Sequence, residues 1–298
     1  VPKTLADVLS GVKRAVDARL PALLEAAGER DALDPLPAAS REALVSAGKR
    51  VRPALVFLSG ALFSAQEARL LDPACAVEMV HAASLALDDL PSMDDASTRR
   101  GRPALHVTHG EDVAILAAVT LLARAFGVLA DAALRADSGR VPAAAALDVL
   151  SRLADACGLL GLASGQALDL HTAPGDATFD RLETIHARKT GALFVASAEL
   201  GAVLGGAREK ELAAVRSYAK NVGLAFQIVD DLLPASSETT GKEAKRSDAP
   251  TFVKHVGEDG ARRLVRELTQ HAVEALAPFG GRGGHLVEFA LLLRDRTS

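Results

Sequence analysis

Tryptophan is missing from this chain and tyrosine occurs once, so that with nine phenylalanines the aromatic content reaches only 3%. A cavity that steadies migrating positive charge with ring faces is hard to assemble from so few rings. Cysteine is almost as scarce. The two present, Cys75 and Cys157, lie in apolar stretches without a CxxC spacing; neither suggests a metal centre, and both read as reduced core residues of an intracellular protein. No basic excess is present either. The formal net charge is -4, which gives no reason to expect nucleic-acid binding. The most apolar run, Val113 to Ala123 with only Thr120 polar within it, falls short of the roughly 20 residues that span a bilayer. No signal-peptide pattern opens the sequence, so a cytoplasmic protein without stable membrane insertion is expected.

Alanine and leucine, by contrast, abound, and 49% hydrophobic with 24% charged residues in a chain of 298 describes a globular protein with a sizeable core. Apolar residues recur at steps of three and four almost throughout, which predicts an all-α protein. The clearest case runs Leu212, Val215, Ala219, Val222, Phe226, Val229, Leu233, one buried stripe of one helix. Punctuation is expected at Asp34-Pro35-Leu36-Pro37, Leu71-Asp72-Pro73, Gly101-Arg102-Pro103, Asp137-Ser138-Gly139, Ala173-Pro174-Gly175-Asp176 and Gly205-Gly206. Helices of about 20 to 30 residues between short turns make a bundle. With no composition shift and no fixed-period repeat, residues 1–298 read as a single domain. The polar stretch between Pro234 and Pro250 interrupts the helical pattern and reads as a loop over a site.

Two aspartate pairs stand where apolar helical patterns end: Asp88-Asp89 in DDLPSMDDASTRRGRP and Asp230-Asp231 in GLAFQIVDDLLP. Adjacent carboxylates beside a buried surface need cations. His81 and Asp88 are two helical turns apart and share a face, while Asp89 sits about 100° around. Pro91 then disturbs the helix, so that Asp94 or Asp95 can return towards the first pair. Converging carboxylates suit Mg²⁺, which prefers oxygen and usually keeps waters and substrate phosphate oxygens in its shell. A solvated acidic turn is the bland alternative, and Arg99-Arg100 directly downstream weighs against it, because guanidinium forks match diphosphate oxygens. The second pair sits at a helix C-terminus, where the macrodipole disfavours acids unless something compensates. Gly48-Lys49-Arg50-Val51-Arg52-Pro53 offers Lys49 and Arg52 three apart on one helical face, suited to a second anion or to a solvated helix start. Lys189-Thr190-Gly191 adds an ammonium beside a hydroxyl.

Together these segments resemble the trans-isoprenyl diphosphate synthases, the family of farnesyl and geranylgeranyl diphosphate synthases. The matching stretches are GKRVRP at 48–53, HAASLALDDLPSMDDASTRRGRPALH at 81–106, GQALDL at 165–170, IHARKTGALF at 185–194 and GLAFQIVDD at 223–231. The resemblance implies an all-α, single-domain helical bundle around a central cavity and a homodimer. It implies head-to-tail condensation of isopentenyl diphosphate with an allylic diphosphate by Mg²⁺-assisted ionisation. By the same resemblance Asp88, Asp89 and Asp94 hold magnesium on the allylic diphosphate and Asp230 holds a further ion. Arg99 and Lys189 contact that diphosphate, while Lys49, Arg52, His81 and Arg100 bind isopentenyl diphosphate. Thr190 and Gln227 turn oxygen dipoles towards the carbocation. In the family, side chains one turn before the first pair floor the product tunnel, and the small Ala83 and Ser84 imply a chain longer than farnesyl, geranylgeranyl diphosphate.

The second motif departs from the family's usual DDxxD, with Pro234 at its fifth position and Ala249 where a lysine is often found; Lys242 is then the candidate loop cation. Two other readings stay open at this point. One is a non-catalytic or regulatory subunit of a heteromeric synthase, motivated by Pro234. The other is a class I terpene cyclase, which the scarcity of aromatic residues and the basic group at 49–52 disfavour.

Overall fold

The computed structural model describes residues 3–25, 33–45, 48–134, 143–233 and 251–296. The expected punctuation at 137–139, Pro234, Lys242, Ala249 and the stretch to Pro250 lie outside the described residues. Among those described, the chain is helical nearly everywhere: α1 Leu5–Glu25, α2 Leu36–Val45, α3 Val51–Ala61, α4 Glu67–Asp88, α5 Leu105–His109, α6 Glu111–Leu134, α7 Ala143–Cys157, α8 Leu162–His171, α9 Phe179–His186, α10 Ala192–Leu204, α11 Glu209–Leu232, α12 Phe252–Ala275 and α13 Gly284–Arg294. A π-helical turn, Ala187–Gly191, joins α9 to α10 without a break.

Two helices are central. Helix α10 (ALFVASAELGAVL) is apolar all round apart from Ser197 and Glu199 and is buried accordingly, packing on α3, α7 and α11. Helix α4 is buried on most of its circumference and lies chiefly against α6, and its Ala83 and Ala86 belong to the same core cluster as Ala114, Ala117, Ala118 and Leu121 of α6. Small residues on both sides let the two helices run close. A second cluster joins α3, α10, α11 and α13 around Tyr218, Phe194 and Phe289, and a third fastens α12 to α9 and α11 through Phe252, Ile228 and Val265. In α11 the stripe read from the sequence is buried at Leu212, Val215, Ala219, Val222 and Val229, while Phe226 is partly buried and Leu233 lies just beyond the helix end.

Two local expectations are corrected, and a third break takes a definite form. Leu71-Asp72-Pro73 is no break: Pro73 lies inside α4, in its second turn, where its missing N–H forgoes one helical hydrogen bond while its ring is buried. Lys49 and Arg52 do not share a helix, because Arg50 adopts a left-handed conformation (φ 51°) and α3 begins only at Val51. Gly101-Arg102-Pro103 is part of a hairpin, β1 Thr98–Arg99 paired with β2 Arg102–Pro103, turned by Arg100 (φ 54°) and Gly101 (φ 74°). Two successive positive φ values match the right-handed twist of a tight hairpin.

By length and composition alone, α4 and the Glu111–Ala132 part of α6 are apolar enough to cross a membrane. The first is a core helix. The second buries one side against α4 and exposes Ile115, Leu116 and Val119 on the other.

Candidate active site

The end of α4 leads into an acidic turn that folds back on itself. The Asp94 amide donates to the Asp88 carbonyl at 2.9 Å, the Asp95 amide to the Leu90 carbonyl at 3.0 Å and the Ala96 amide to the Asp89 carbonyl at 3.2 Å. The return of Asp94 anticipated from Pro91 is thus made by backbone hydrogen bonds. The hairpin that follows carries Arg99 back to Asp89, whose carboxylate accepts from Arg99 Nε and Nη2 and is nearly closed off from solvent. Burial opposes the Arg99 charge, and the bonds to Asp89 more than offset it, so Arg99 is held protonated. Asp89 and Arg99 therefore satisfy one another. Lys189 is a second buried cation: burial opposes its charge, the fields of Asp88, Asp169 and Asp94 more than offset that, and its Nζ lies 2.7 Å from Asp169 Oδ2.

Lys189 and Thr190 occupy the π-helical turn, whose wider winding displaces them from an ordinary α-helical register. Helix α8 comes up against this turn at Gly165, where a Cβ would fall 2.2 Å from the Lys189 amide nitrogen. That contact fixes Asp169 one turn further along α8, opposite the Lys189 ammonium.

Beneath the first pair lies a basic group. Arg50, buried, donates to Glu78 at 2.6 Å, to Asp17 at 2.7 Å and to the Leu44 carbonyl at 3.1 Å; these anchors hold its backbone in the left-handed region. Gly48 passes under the guanidinium groups of Arg50 and Arg100, either of which a side chain there would crowd. Arg52 Nη1 lies 3.3 Å from His81 Nε2. Since arginine can only donate, Nε2 accepts and the His81 proton resides on Nδ1. Burial first, then the fields of Arg52, Arg100, Arg99 and Arg50, keep His81 neutral well below its ordinary range. Burial also lowers Arg52 to about 10, against the opposing pull of Glu78 and Asp230. Its guanidinium sits 5.1 Å from the centre of the Phe194 ring. Lys49 is exposed at the edge of this group.

Across from the first pair, the end of α11 brings Gln227, Asp230 and Asp231. The Thr190 hydroxyl donates to Gln227 Oε1 at 3.0 Å, Gln227 Nε2 to Asp231 Oδ1 at 3.3 Å, and the Phe252 amide to Asp231 Oδ2 at 3.3 Å. Burial pushes Asp231 up to about 6, and those last two bonds oppose the shift. Asp230 is paired with Arg296, which also donates to the Phe226 carbonyl at 2.8 Å and stacks 3.7 Å above the Phe226 ring.

Among the described residues no three histidine, cysteine, aspartate or glutamate side chains converge as a ready-made metal cage. The donor chemistry nonetheless fits magnesium, with oxygen ligands available from the carboxylates at the ends of α4 and α11. Magnesium commonly takes one or two protein carboxylates and completes its shell with water and substrate phosphate.

Residues 35–250 match the polyprenyl synthetase family model. The chain belongs to the polyprenyl synthetase family. As a trans-prenyl diphosphate synthase of that family it is similar to geranylgeranyl pyrophosphate synthase 11, chloroplastic, of Arabidopsis thaliana, 41% identical over 249 residues, which cover 81% of this chain and 69% of the relative. It is likewise similar to the geranylgeranyl diphosphate synthase of Pantoea ananas, 39% identical over 264 residues, covering 88% of this chain and 84% of that protein. Among solved structures, a geranyltransferase from Legionella pneumophila superposes with a TM-score of 0.84 at 32% identity, covering 98% of both chains. A farnesyl/geranylfarnesyl (FPP/GFPP) synthase from Zymomonas mobilis gives 0.83 at 31% identity, covering 96% of this chain and 97% of that one. These matches bear out the all-α polyprenyl synthetase reading, and synthases of this family typically use Mg²⁺.

Three partners in the site were not singled out from the sequence. Glu78 sits three residues before His81 and holds Arg50. Asp169 belongs to the GQALDL segment that carried the resemblance, and its spacing from Gly165 was the available signal. Arg296 lies 66 residues beyond Asp230, with no local pattern to connect them.

Proposed function

We propose that this chain condenses isopentenyl diphosphate head-to-tail with an allylic diphosphate and releases geranylgeranyl diphosphate. The observation that carries the reading is that the fold links the segments bearing these groups, with Arg99 held on Asp89, Lys189 Nζ 2.7 Å from Asp169, the Thr190 hydroxyl 3.0 Å from Gln227 and Arg52 3.3 Å from His81, while the fields of Asp88 and Asp94 act on Lys189 and that of Asp230 on Arg52. In this proposal Asp88, Asp94 and Asp230 hold Mg²⁺, and Asp89, expected with them from the resemblance, acts by keeping Arg99 charged and in place. When bound, magnesium supplies the positive charge that makes a diphosphate a good leaving group. Lys189 neutralises the departing diphosphate from the side of the π-helical turn. Arg52, Arg100 and the exposed Lys49 bind the isopentenyl diphosphate, and neutral His81, with its proton on Nδ1, serves as a hydrogen-bond partner there.

Thr190 and Gln227 turn oxygen atoms towards the allylic carbocation, stabilising it by fixed dipoles. The isopentenyl double bond attacks, and the proton then lost passes to the departing diphosphate. Water must be kept out while the cation exists, because hydrolysis would yield an alcohol. Chain length is set in this reading by the turn of α4 before Asp88, where Ala83 is small and fully buried and Ser84 bonds back to the His81 carbonyl at 2.9 Å.

The chain works in the cytoplasm as a single domain in a homodimer, and support for the dimer is the face of α6 that exposes Ile115 at 41%, Leu116 at 51% and Val119 at 55%. Incubation with Mg²⁺, isopentenyl diphosphate and each allylic primer, followed by product analysis by chain length, tests the activity. A 20-carbon product is expected; no elongation by the chain alone would overturn the reading and favour a non-catalytic subunit. Sedimentation of the wild type against Val119→Glu tests the dimer.

A further inference from the structure

Asp231 lies beside a candidate metal ligand, yet its two oxygens are already engaged from either side, one by the side-chain amide of Gln227 and the other by the first backbone N–H of α12, each at 3.3 Å. An amide side chain has a donor end and an acceptor end, and which end faces which neighbour is decided by the hydrogen-bond network around it. An ionised carboxylate only accepts. With Asp231 on one side, Gln227 must present its NH₂ there, and its carbonyl therefore faces Thr190, whose hydroxyl donates to it at 3.0 Å. Once the Thr190 proton is spent on Gln227, the lone pairs of Thr190 remain directed away from that bond.

We propose that Asp231 is a positioning residue for the condensation: by fixing the amide orientation of Gln227 it sets the polarity of the Thr190 hydroxyl, so that both present oxygen to the allylic carbocation. The Phe252 amide supplies the second anchor. It is one of the N–H groups at the start of a helix that have no partner within that helix, and its bond to Asp231 keeps the carboxylate from turning away. The chain of bonds thus runs from α12 through α11 to the π-helical turn. This rests on the reading above that Thr190 and Gln227 face the cation, and it goes beyond that reading by assigning their polarity to a third residue.

The test is a charge swap, assayed at pH 8. In Asp231→Asn the new amide keeps its oxygen on the Phe252 N–H and turns NH₂ towards Gln227. Gln227 then flips, its own NH₂ meets Thr190, and the dipoles facing the cation reverse. We expect kcat to fall about 30-fold or more, with both KM values and the Mg²⁺ requirement within about twofold of wild type, the signature of an interaction made only in the transition state. Gln227→Glu places two carboxylates side by side and is also expected to lose activity. In the double variant Gln227→Glu/Asp231→Asn, the carboxylate now at position 227 accepts both from the amide now at position 231 and from Thr190. Total charge is unchanged, and kcat is expected to recover to within about fivefold of wild type.

Wild-type kcat in Asp231→Asn, or a loss that higher Mg²⁺ restores, would overturn the inference; the latter would make Asp231 a metal ligand. A double variant no better than either single, with its thermal midpoint intact, would overturn it too. Should Asp231→Asn fold poorly, the gain from Gln227→Glu to the double variant reads the same polarity. Absence of product from the wild type would sink the proposed activity, whereas an active wild type matched by Asp231→Asn would sink this inference alone.

Discussion

The two aspartate pairs have the same sequence and both stand near the end of a helix, Asp88 closing α4 with Asp89 as its cap and Asp230-Asp231 falling just before Leu232, the last residue of α11. Within each pair, however, the two residues have different surroundings. In the first, Asp89 is enclosed by Arg99 while the field of Asp88 acts on Lys189. In the second, Asp231 is held by Gln227 and the start of α12 while Asp230 faces Arg296 and Arg52. Neighbours on a helix point about 100° apart, so both members of a pair cannot address one ligand equally. What differs is the partner of the inner residue. At the first pair it is a charged arginine on a rigid hairpin; at the second it is a neutral amide and a backbone N–H. The first is an ion pair that keeps a basic side chain in place, and the second is a hydrogen-bond relay that transmits orientation.

The strongest way to break this comparison is to neutralise each member of the first pair in turn. Asp88→Asn is expected to cost on the order of 10³ in kcat/KM through lost stabilisation of the leaving group, with the thermal midpoint nearly unchanged. Asp89→Asn is expected to destabilise the fold by ~3 kcal/mol, because it strands the Arg99 charge in a nearly closed environment. Its kcat is expected to suffer less than that of Asp88→Asn. Full thermal stability in Asp89→Asn combined with a catalytic loss as deep as that of Asp88→Asn would end the distinction between inner and outer residue.

At the second pair, Asp230→Asn is expected to lower kcat/KM by about 10² and to raise the Mg²⁺ concentration needed for half activity; an unchanged Mg²⁺ titration would argue that Asp230 serves its arginine neighbours rather than a metal ion. A smaller effect concerns product rather than rate. One turn before the first pair stand Ala83 and Ser84, whereas one turn before the second stand Ala225 and Phe226. Ala83→Phe is expected to shorten the main product to about 15 carbons or fewer, since a ring on that turn fills volume that a methyl leaves, while Phe226→Ala leaves chain length as it was. Equal product lengths in Ala83→Phe and wild type would move the floor to another helix.

The smallest expected effect lies near the anchor of the second pair. Both ring nitrogens of His186 are buried without a hydrogen-bond partner, and the ring sits 5.2 Å from that of Phe252. Burial lowers His186 from its ordinary 6.5 to about 4, offset in part by Asp169. The unfolded chain therefore binds this proton before the folded one does. The contribution is complete above about pH 6.5 and is lost as pH falls towards about 4. His186→Phe is expected to flatten the decline of the thermal midpoint over that window by a few degrees relative to wild type; an identical slope would mean that the ring is already charged in the folded protein.

How much of this was legible depended on whether the signal was local. The α11 stripe, the two aspartate pairs and the basic residues at 49–52 and 99–100 could be read because their meaning lies in periodicity and charge within a few residues. Pro73 misled because proline near the start of a helix looks in sequence like proline between helices. Lys49 and Arg52 misled because the left-handed turn at Arg50 is imposed by Asp17 and Glu78, which lie 33 and 28 residues away. The π-helical turn left no mark in the composition, and Arg296 reaches Asp230 only through packing of the residues after α13 against α11 and Phe226.

That π-helical turn has one more consequence. It amounts to one extra residue accommodated within an otherwise continuous helical path from Phe179 to Leu204. Deleting Ala187 would let the path relax to ordinary winding, with better-aligned backbone hydrogen bonds, and would rotate α9 and Lys189 relative to α10 by about a quarter turn. Regularity and reactivity are therefore opposed at this point of the chain: a straighter helix there would carry the same residues and aim them at the wrong neighbours.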